Sequence, residues 1–374
     1  MQRLTNPTIA IVDLGAIAFN LHGIRKRVGP GVKIMAIVKA NAYGHGYAEV
    51  SRFIARRHAD YLGVAIAEEG VQLRNLGIDI PIQVFLLPTK EQCALICEYN
   101  LEPTICSDNE VHWLNALGVS RRTTIAAHLK IDTGMNRIGV KPARLEVFLK
   151  SLARARRIEI KGVFTHFATA EQRNKSFTLQ QLDEFHRCLE LLHRHGIQPP
   201  LVHCANSAAI LDLPATHFSM VRPGLSMYGY YPSSTTSESI PLKPALTLKT
   251  RVSLVKKIDT GEGVSYGRRF IASRKTSIAT LPVGYGDGYF RLLSGKSSVL
   301  MQGLRFPVVG AICMDQMMVD IGNAHIRAGE EVVLIGSQKR ERIGAWELAD
   351  RLGTIPYEIF CAISSRVPRI YENL

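Results

Sequence analysis

IMAIVKANAYGHG, residues 34–46, decides the reading of this chain. Its first five residues are apolar and predict a buried strand. The run stops at Lys39, and small residues follow. A lysine leaving a buried strand is costly unless it is paired or its amine does chemistry. Desolvation lowers a lysine pKa from about 10.4 and frees the amine for Schiff-base formation. The ordinary alternative is a lysine whose stem lies along the strand while its head snorkels to water. Tyr43, Gly44 and Gly46 come next, and the glycines let the backbone turn tightly and approach a ligand.

Outward from this stretch, short β-like runs alternate with amphipathic helical ones. The strand candidates are 33–38, 61–66, 82–87, 102–105, 125–131, 158–164, 201–205 and 219–224. Helical segments are read at 108–117, after an acidic start, and at 178–194. Eight such units predict an α/β fold, a (β/α)8 TIM barrel over 11–236. A doubly wound sheet is the structural runner-up, but no G-x-G-x-x-G follows any strand. PSSTTSESIP (232–241) reads as a linker. Beyond it the pattern turns β-rich, with a hairpin at QGLRF (302–306) and short helices at 345–352 and from Pro356. A mostly β C-terminal domain is therefore expected over 237–374, joined by an N-terminal strand in 1–10; the partner of TIAIVDL (8–14) is not assignable from pattern.

A length of 374 residues exceeds what one core usually holds. Composition, 46% hydrophobic and 21% charged, is that of a soluble globular protein. The net charge is 46 − 32 = +14, but the basic residues are scattered and no aromatic residues interleave with them. That argues against nucleic acid and for a basic surface that steers anionic ligands. Seven cysteines, Cys93, Cys97, Cys106, Cys188, Cys204, Cys313 and Cys361, show no paired spacing. Free thiols in a reducing compartment fit, and no cluster suggests a metal. With no signal-peptide run and no spanning segment, the expected location is cytoplasmic.

Barrel chemistry sits at the carboxyl ends of the strands. Lys39 follows the first strand, and the fifth runs into HLKIDTGMNRIG with His128, Lys130, Asp132 and Arg137. His166 follows the sixth; the seventh brings His203, Asn206 and Ser207; the eighth brings Arg222 and Gly224. Each alone has an ordinary explanation, but five strand exits converging on one rim do not share one. An imine-forming lysine with hydroxyl and glycine donors for an anion suggests pyridoxal phosphate.

VKANAYGHG, HLKIDTGMNRIG, HCANSA, MVRPG, GVSYG and CMDQ, in this order, resemble the alanine racemases, fold-type-III pyridoxal phosphate enzymes. The resemblance runs from about Thr8 to the carboxyl terminus. It implies that Lys39 holds pyridoxal 5'-phosphate as a Schiff base and acts as base on one face of the substrate. Tyr266, in GVSYG, would be the base on the other face, reaching the site from the partner subunit of a homodimer. Arg222 would face the pyridine nitrogen, with His166 and His203 linking it towards Tyr266. Arg137 would contact the phenolic oxygen and the substrate carboxylate. Lys130 aligns with a lysine that is carbamylated in many members; an unmodified lysine paired with Asp132 is the alternative. Tyr43, Ser207, Gly224 and Tyr357, with Asn206 beside them, would hold the phosphate. Tyr285, Met314 and Asp315 would line the entrance or the carboxylate end. Gly286 stands where the family more often has alanine, with a small change in loop flexibility expected.

The implied activity interconverts L- and D-alanine, supplying D-alanine for peptidoglycan. A broader-specificity or serine racemase of the same fold is the nearest alternative. A related decarboxylase lacks its glycine-rich phosphate loop here, a non-catalytic cofactor carrier leaves the β domain unexplained, and a nucleic-acid binder lacks motifs.

Overall fold

Each of the eight apolar runs forms a strand in the computed structural model, which describes residues 6–373. Residues 1–5 of the expected N-terminal segment, and Leu374, lie outside the described residues. Strand β1 (Ile9–Asp13) belongs to the C-terminal sheet. The barrel strands are β2 (Lys33–Ile37), β3 (Tyr61–Val64), β4 (Ile82–Val84) and β5 (Glu102–Ile105). They continue as β6 (Ile125–Lys130), β7 (Ile158–Phe164), β8 (Leu201–His203) and β9 (Met220–Val221). All pair in parallel, in the order β8-β7-β6-β5-β4-β3-β2-β9. The ring closes where Ser219 N–H donates to Val202 O (3.2 Å) and Val202 N–H to Ser219 Oγ (2.7 Å).

Helical spacing explains the covering layer. Ser176–Arg194 buries Thr178, Gln181, Leu182, Phe185, Cys188 and Leu192, one stripe at three- and four-residue steps. Lys90–Glu98 starts on a capping box: Thr89 Oγ accepts from Gln92 N–H, and Gln92 Oε1 from Thr89 N–H. The serine-rich segment 232–241 is not a loose linker. Ser233 and Thr235 hydroxyls donate to Glu171 O, and Ser237 N–H donates to Asp212 Oδ1. The barrel unit accordingly comprises Ala16–Ala42 and Tyr47–Lys243.

The second unit comprises the residues up to Gly15, Tyr43–Gly46, and Pro244 onward. Its strands are β10 (Leu246–Arg251), β11 (Leu254–Ile258), β12 (Gly263–Val264), β13 (Phe270–Ile271) and β14 (Thr276–Leu281). They are followed by β15 (Ser298–Met301), β16 (Leu304–Val309), β17 (Met317–Gly322), β18 (Glu331–Gln338), β19 (Glu341–Ile343) and β20 (Arg369–Glu372). The main sheet runs β11-β14-β17-β16-β15-β18-β10-β1-β20, with β19 on β18. Strand β1 finds two partners, β10 antiparallel and β20 parallel. The hairpin at 302–306 is a two-residue turn, with Gln302 and Gly303 both at positive φ (54° and 82°). Among the described residues no helix is long and apolar enough to cross a membrane.

Candidate active site

Lys39 leaves β2 into one turn of left-handed helix, Lys39–Tyr43. Ala40, Asn41 and Ala42 sit at φ/ψ of 51°/55°, 56°/44° and 52°/49°, and Ala42 N–H donates to Val38 O at 2.9 Å. Each non-glycine residue held there costs about 1–2 kcal/mol, so something must hold it. Glu69 does: Oε1 accepts from Ala40 N–H and Oε2 from Ala65 N–H, both at 2.7 Å. Asn41 Oδ1 accepts from Tyr47 N–H at 2.8 Å. Glu69 was not legible as a site residue, because an acid in a first helical turn reads as a cap. The glycines that follow have other parts of the protein packed closely against them. A Cβ on Gly44 would lie 2.0 Å from Phe360 O, and one on Gly46 1.8 Å from the Tyr371 hydroxyl oxygen.

The charged residues predicted on the barrel rim are brought together. The charges of Arg222, Lys130, Arg137 and Lys39 all act on His166, whose pKa is held well below the imidazole range, first by burial and then by those four cations. Arg222 is buried and fixed. Nη1 donates to His203 Nδ1 (2.9 Å) and His203 O (2.8 Å). Nη2 donates to Thr165 O (2.8 Å), Cys204 O (3.2 Å) and His166 Nδ1 (3.3 Å). Burial lowers its pKa to about 10, which leaves it cationic at neutral pH. Its Nε–H meets no acceptor among the described residues.

Lys130 is 3% exposed and lies over the Phe164 ring, 4.6 Å from the centroid. Burial, then Arg222 and Arg137, push its pKa well below the lysine range. It is not paired with Asp132 as the alternative reading had it. The Asp132 carboxylate is taken up by Lys141 at 3.1 Å and by the amides of Gly134 and Asn136. Arg137 is exposed on that same loop.

Asn206 caps the helix Ser207–Asp212, its Oδ1 accepting from Ala209 N–H. Ser207 Oγ accepts from Gly224 N–H (3.0 Å), Ser226 N–H (3.2 Å) and the Ser226 hydroxyl (3.0 Å). All three contacts donate to Ser207 Oγ, so its hydroxyl hydrogen remains to donate, whereas the Gly224 amide is already engaged.

The remaining predicted residues lie in the β unit. Tyr43 is buried, its ring 5.5 Å from that of Tyr357. Burial, then Tyr357 and Cys361, raise its pKa well above the phenol range. Tyr266 is 74% exposed beside the β12–β13 ribbon. Val264, Ile258, Ala272, Ile278 and Val309 form a small core that includes residues of this ribbon, and Ser265 Oγ donates to Ala311 O at 2.6 Å. Tyr285 and Met314 are exposed, joined through Tyr285 N–H to Cys313 O (3.1 Å) and Gly286 N–H to Met314 O (2.9 Å). Asp315 pairs with Arg366 at 2.8 Å. Gly286 matters through space rather than flexibility: a Cβ there would meet Arg366 Nη1 at 2.5 Å and Met314 O at 3.1 Å.

Residues 12–232 match the family model described as alanine racemase, N-terminal domain, and 245–371 match alanine racemase, C-terminal domain. The chain belongs to the alanine racemase family. The racemase is 44% identical to the alanine racemase of Halothermothrix orenii over 373 residues, covering 100% of this chain and 98% of that one. With the alanine racemase of Symbiobacterium thermophilum identity is 44% over 366 residues, 98% of this chain and 97% of the relative. Among solved structures, alanine racemase from Clostridium difficile 630 superposes with a TM-score of 0.94 at 37% identity, covering 99% and 96% of the two chains. The alanine racemase of Bacillus anthracis, solved with bound L-Ala-P, gives 0.94 at 38% identity with the same coverage. As an enzyme, the chain is a racemase, an isomerase.

Proposed function

We propose that this racemase interconverts L- and D-alanine with pyridoxal 5'-phosphate, using Lys39 and Tyr266 as bases on opposite faces of the substrate. The observation that carries the reading is the cationic rim around His166, with Lys39 at the exit of a buried strand. The donor set suits the cofactor. Arg222 keeps Nε–H available in an otherwise saturated guanidinium, and Ser207 keeps a hydroxyl donor for a phosphate. When bound, the cofactor supplies an electron-withdrawing ring that acidifies the α-proton of an attached amino acid.

The chain's own residues would do the rest. Lys39 Nζ holds the cofactor and exchanges a proton with one face of the α-carbon. Tyr266 of a second copy serves the other face, and its 74% exposure in the single chain suits a residue completed by a partner. Arg222, a donor only, would hold the ring nitrogen of the cofactor without protonating it. Arg137 binds the substrate carboxylate. Lys130, whose pKa burial pushes down, would add carbon dioxide through its unprotonated amine with loss of a proton, and the resulting anion would orient Arg137. Carbamate resonance from ¹³C-bicarbonate is expected in the parent and not in Lys130→Ala; equal spectra would exclude the modification.

A panel of amino acids resolved by chiral chromatography tests the substrate. Racemisation of alanine well ahead of serine supports the proposal, and serine turned over as fast moves the protein to the broader class. The cytoplasmic supply of D-alanine for peptidoglycan is the physiological role proposed with it.

A further inference from the structure

Four side chains run in line through the barrel interior. Arg222 Nη1 lies 2.9 Å from His203 Nδ1, His203 Nε2 3.1 Å from His128 Nδ1, and His128 Nε2 2.7 Å from Glu102 Oε2. Arginine can only donate, so His203 Nδ1 is an acceptor and its proton sits on Nε2. That proton goes to His128 Nδ1, which must then be an acceptor, and the His128 proton sits on Nε2 facing the carboxylate. No other assignment gives every link one donor and one acceptor. Both imidazoles are therefore neutral, with every proton directed away from Arg222 and towards Glu102. The same logic makes His166 Nδ1 an acceptor from Arg222 and leaves its Nε2 to donate.

The surroundings hold the line rigid. The His203 ring is stacked on Phe164, centroids 4.9 Å apart and planes within 2°. His128 meets the Tyr61 and Phe164 rings edge-on at 6.4 Å. His128, Lys130, Arg222 and His203 are all 4% exposed or less, and the Glu102 side chain is 12% exposed. The other charges facing the line are Lys130 at the His203 end and Arg74 near Glu102, neither of them an acceptor. Among the described residues Arg222 has no carboxylate in direct contact, and Glu102 is the anion its hydrogen bonds lead to.

We propose that Glu102 and His128 are positioning residues for the racemisation reaction, fixing the His203 tautomer so that Arg222 stays oriented and cationic behind the reacting centre. The consequence for catalysis rests on the reading of Arg222 given above; the relay itself does not. The expected counterpart of removing a carboxylate behind an imidazole is a loss of about 10- to 100-fold.

The test uses the full-length protein loaded with pyridoxal phosphate, with ¹⁵N-labelled histidine. In the parent, ring-nitrogen NMR should show both His128 and His203 protonated on Nε2 alone. Glu102→Gln keeps the side-chain volume but can donate its amide, so part of His128 should shift to the Nδ1 tautomer and His203 should lose its single state. For alanine racemisation, kcat should fall about 10-fold or more with KM unchanged. In a His128→Phe background the same Glu102→Gln change should be silent. Unchanged tautomers in Glu102→Gln overturn the proposal, and so does an equal kcat loss in the His128→Phe background. If the tautomers shift while the parent racemises no alanine, the relay stands and the substrate reading falls instead.

Discussion

His166 and His203 are buried imidazoles whose ionisation the fold controls. Burial first and Arg222 next hold both pKa values well below the imidazole range. The unfolded chain takes up these protons near pH 6.5, roughly the free imidazole value, whereas the folded chain does so only at lower pH. Below that value the unfolded state binds more protons, so stability falls as the pH drops and is fully present above it. His58 and His217 shift the same way, chiefly through burial. The urea midpoint is thus expected to drop between about pH 7 and about pH 5.5, and less so in His203→Gln. A midpoint unchanged over that range would mean that these histidines are not neutral in the folded protein. At this scale the sequence was partly legible. Lys130 ends a strand and Lys39, Arg137, His166 and Arg222 follow strand exits, so a barrel brings them to one rim without further information. Glu102 was not legible, because EPTI reads as an ordinary strand start and its partner His128 is assigned only by the pairing of β5 with β6. Tyr266 had no signal of its own beyond family resemblance, since a tyrosine in the turn of a β ribbon has no pattern that separates it from packing.

The element that carries Lys39 is the left-handed turn, and composition conceals it. Ala40, Asn41 and Ala42 are compatible with a right-handed helix, and only the chain around them imposes positive φ. Ala40 is exposed, so Ala40→Gly removes the conformational cost without opening a cavity and is expected to raise stability by up to about 1 kcal/mol. Glu69→Ala leaves the amides of Ala40 and Ala65 without their acceptor and is expected to cost about 1–2 kcal/mol. It should also weaken pyridoxal phosphate binding, because the lysine proposed to hold the cofactor loses its fixed base. Thermal unfolding and cofactor titration of the two variants check both statements. A stabilised Glu69→Ala would show that the turn is held by something else. The barrel strands themselves were legible from apolar run length, while the fastening of the 232–241 segment was not: its hydroxyls satisfy a barrel carbonyl and its Ser237 amide an aspartate, a use that a Ser/Thr-rich composition does not distinguish from a loose linker.

For the whole molecule, the proposed exchange of Tyr266 between copies predicts complementation. Lys39→Ala and Tyr266→Phe should each be nearly inactive in alanine racemisation. In a mixed dimer one site carries both changes and the other carries neither. Random pairing makes half the dimers mixed, so subunit exchange between equal amounts should restore about a quarter of parental activity. No recovery after proven exchange would place both bases within one chain. The central claim, that the chain moves the α-proton of alanine between two faces, is tested most directly in D₂O. The full-length protein with pyridoxal phosphate is given L-alanine, the α-proton signal is followed by NMR, and the product is resolved by chirality. The account predicts loss of the α-proton signal with deuterated D-alanine accumulating to an equal mixture. An α-proton signal that persists in protein carrying the cofactor on Lys39 would contradict it.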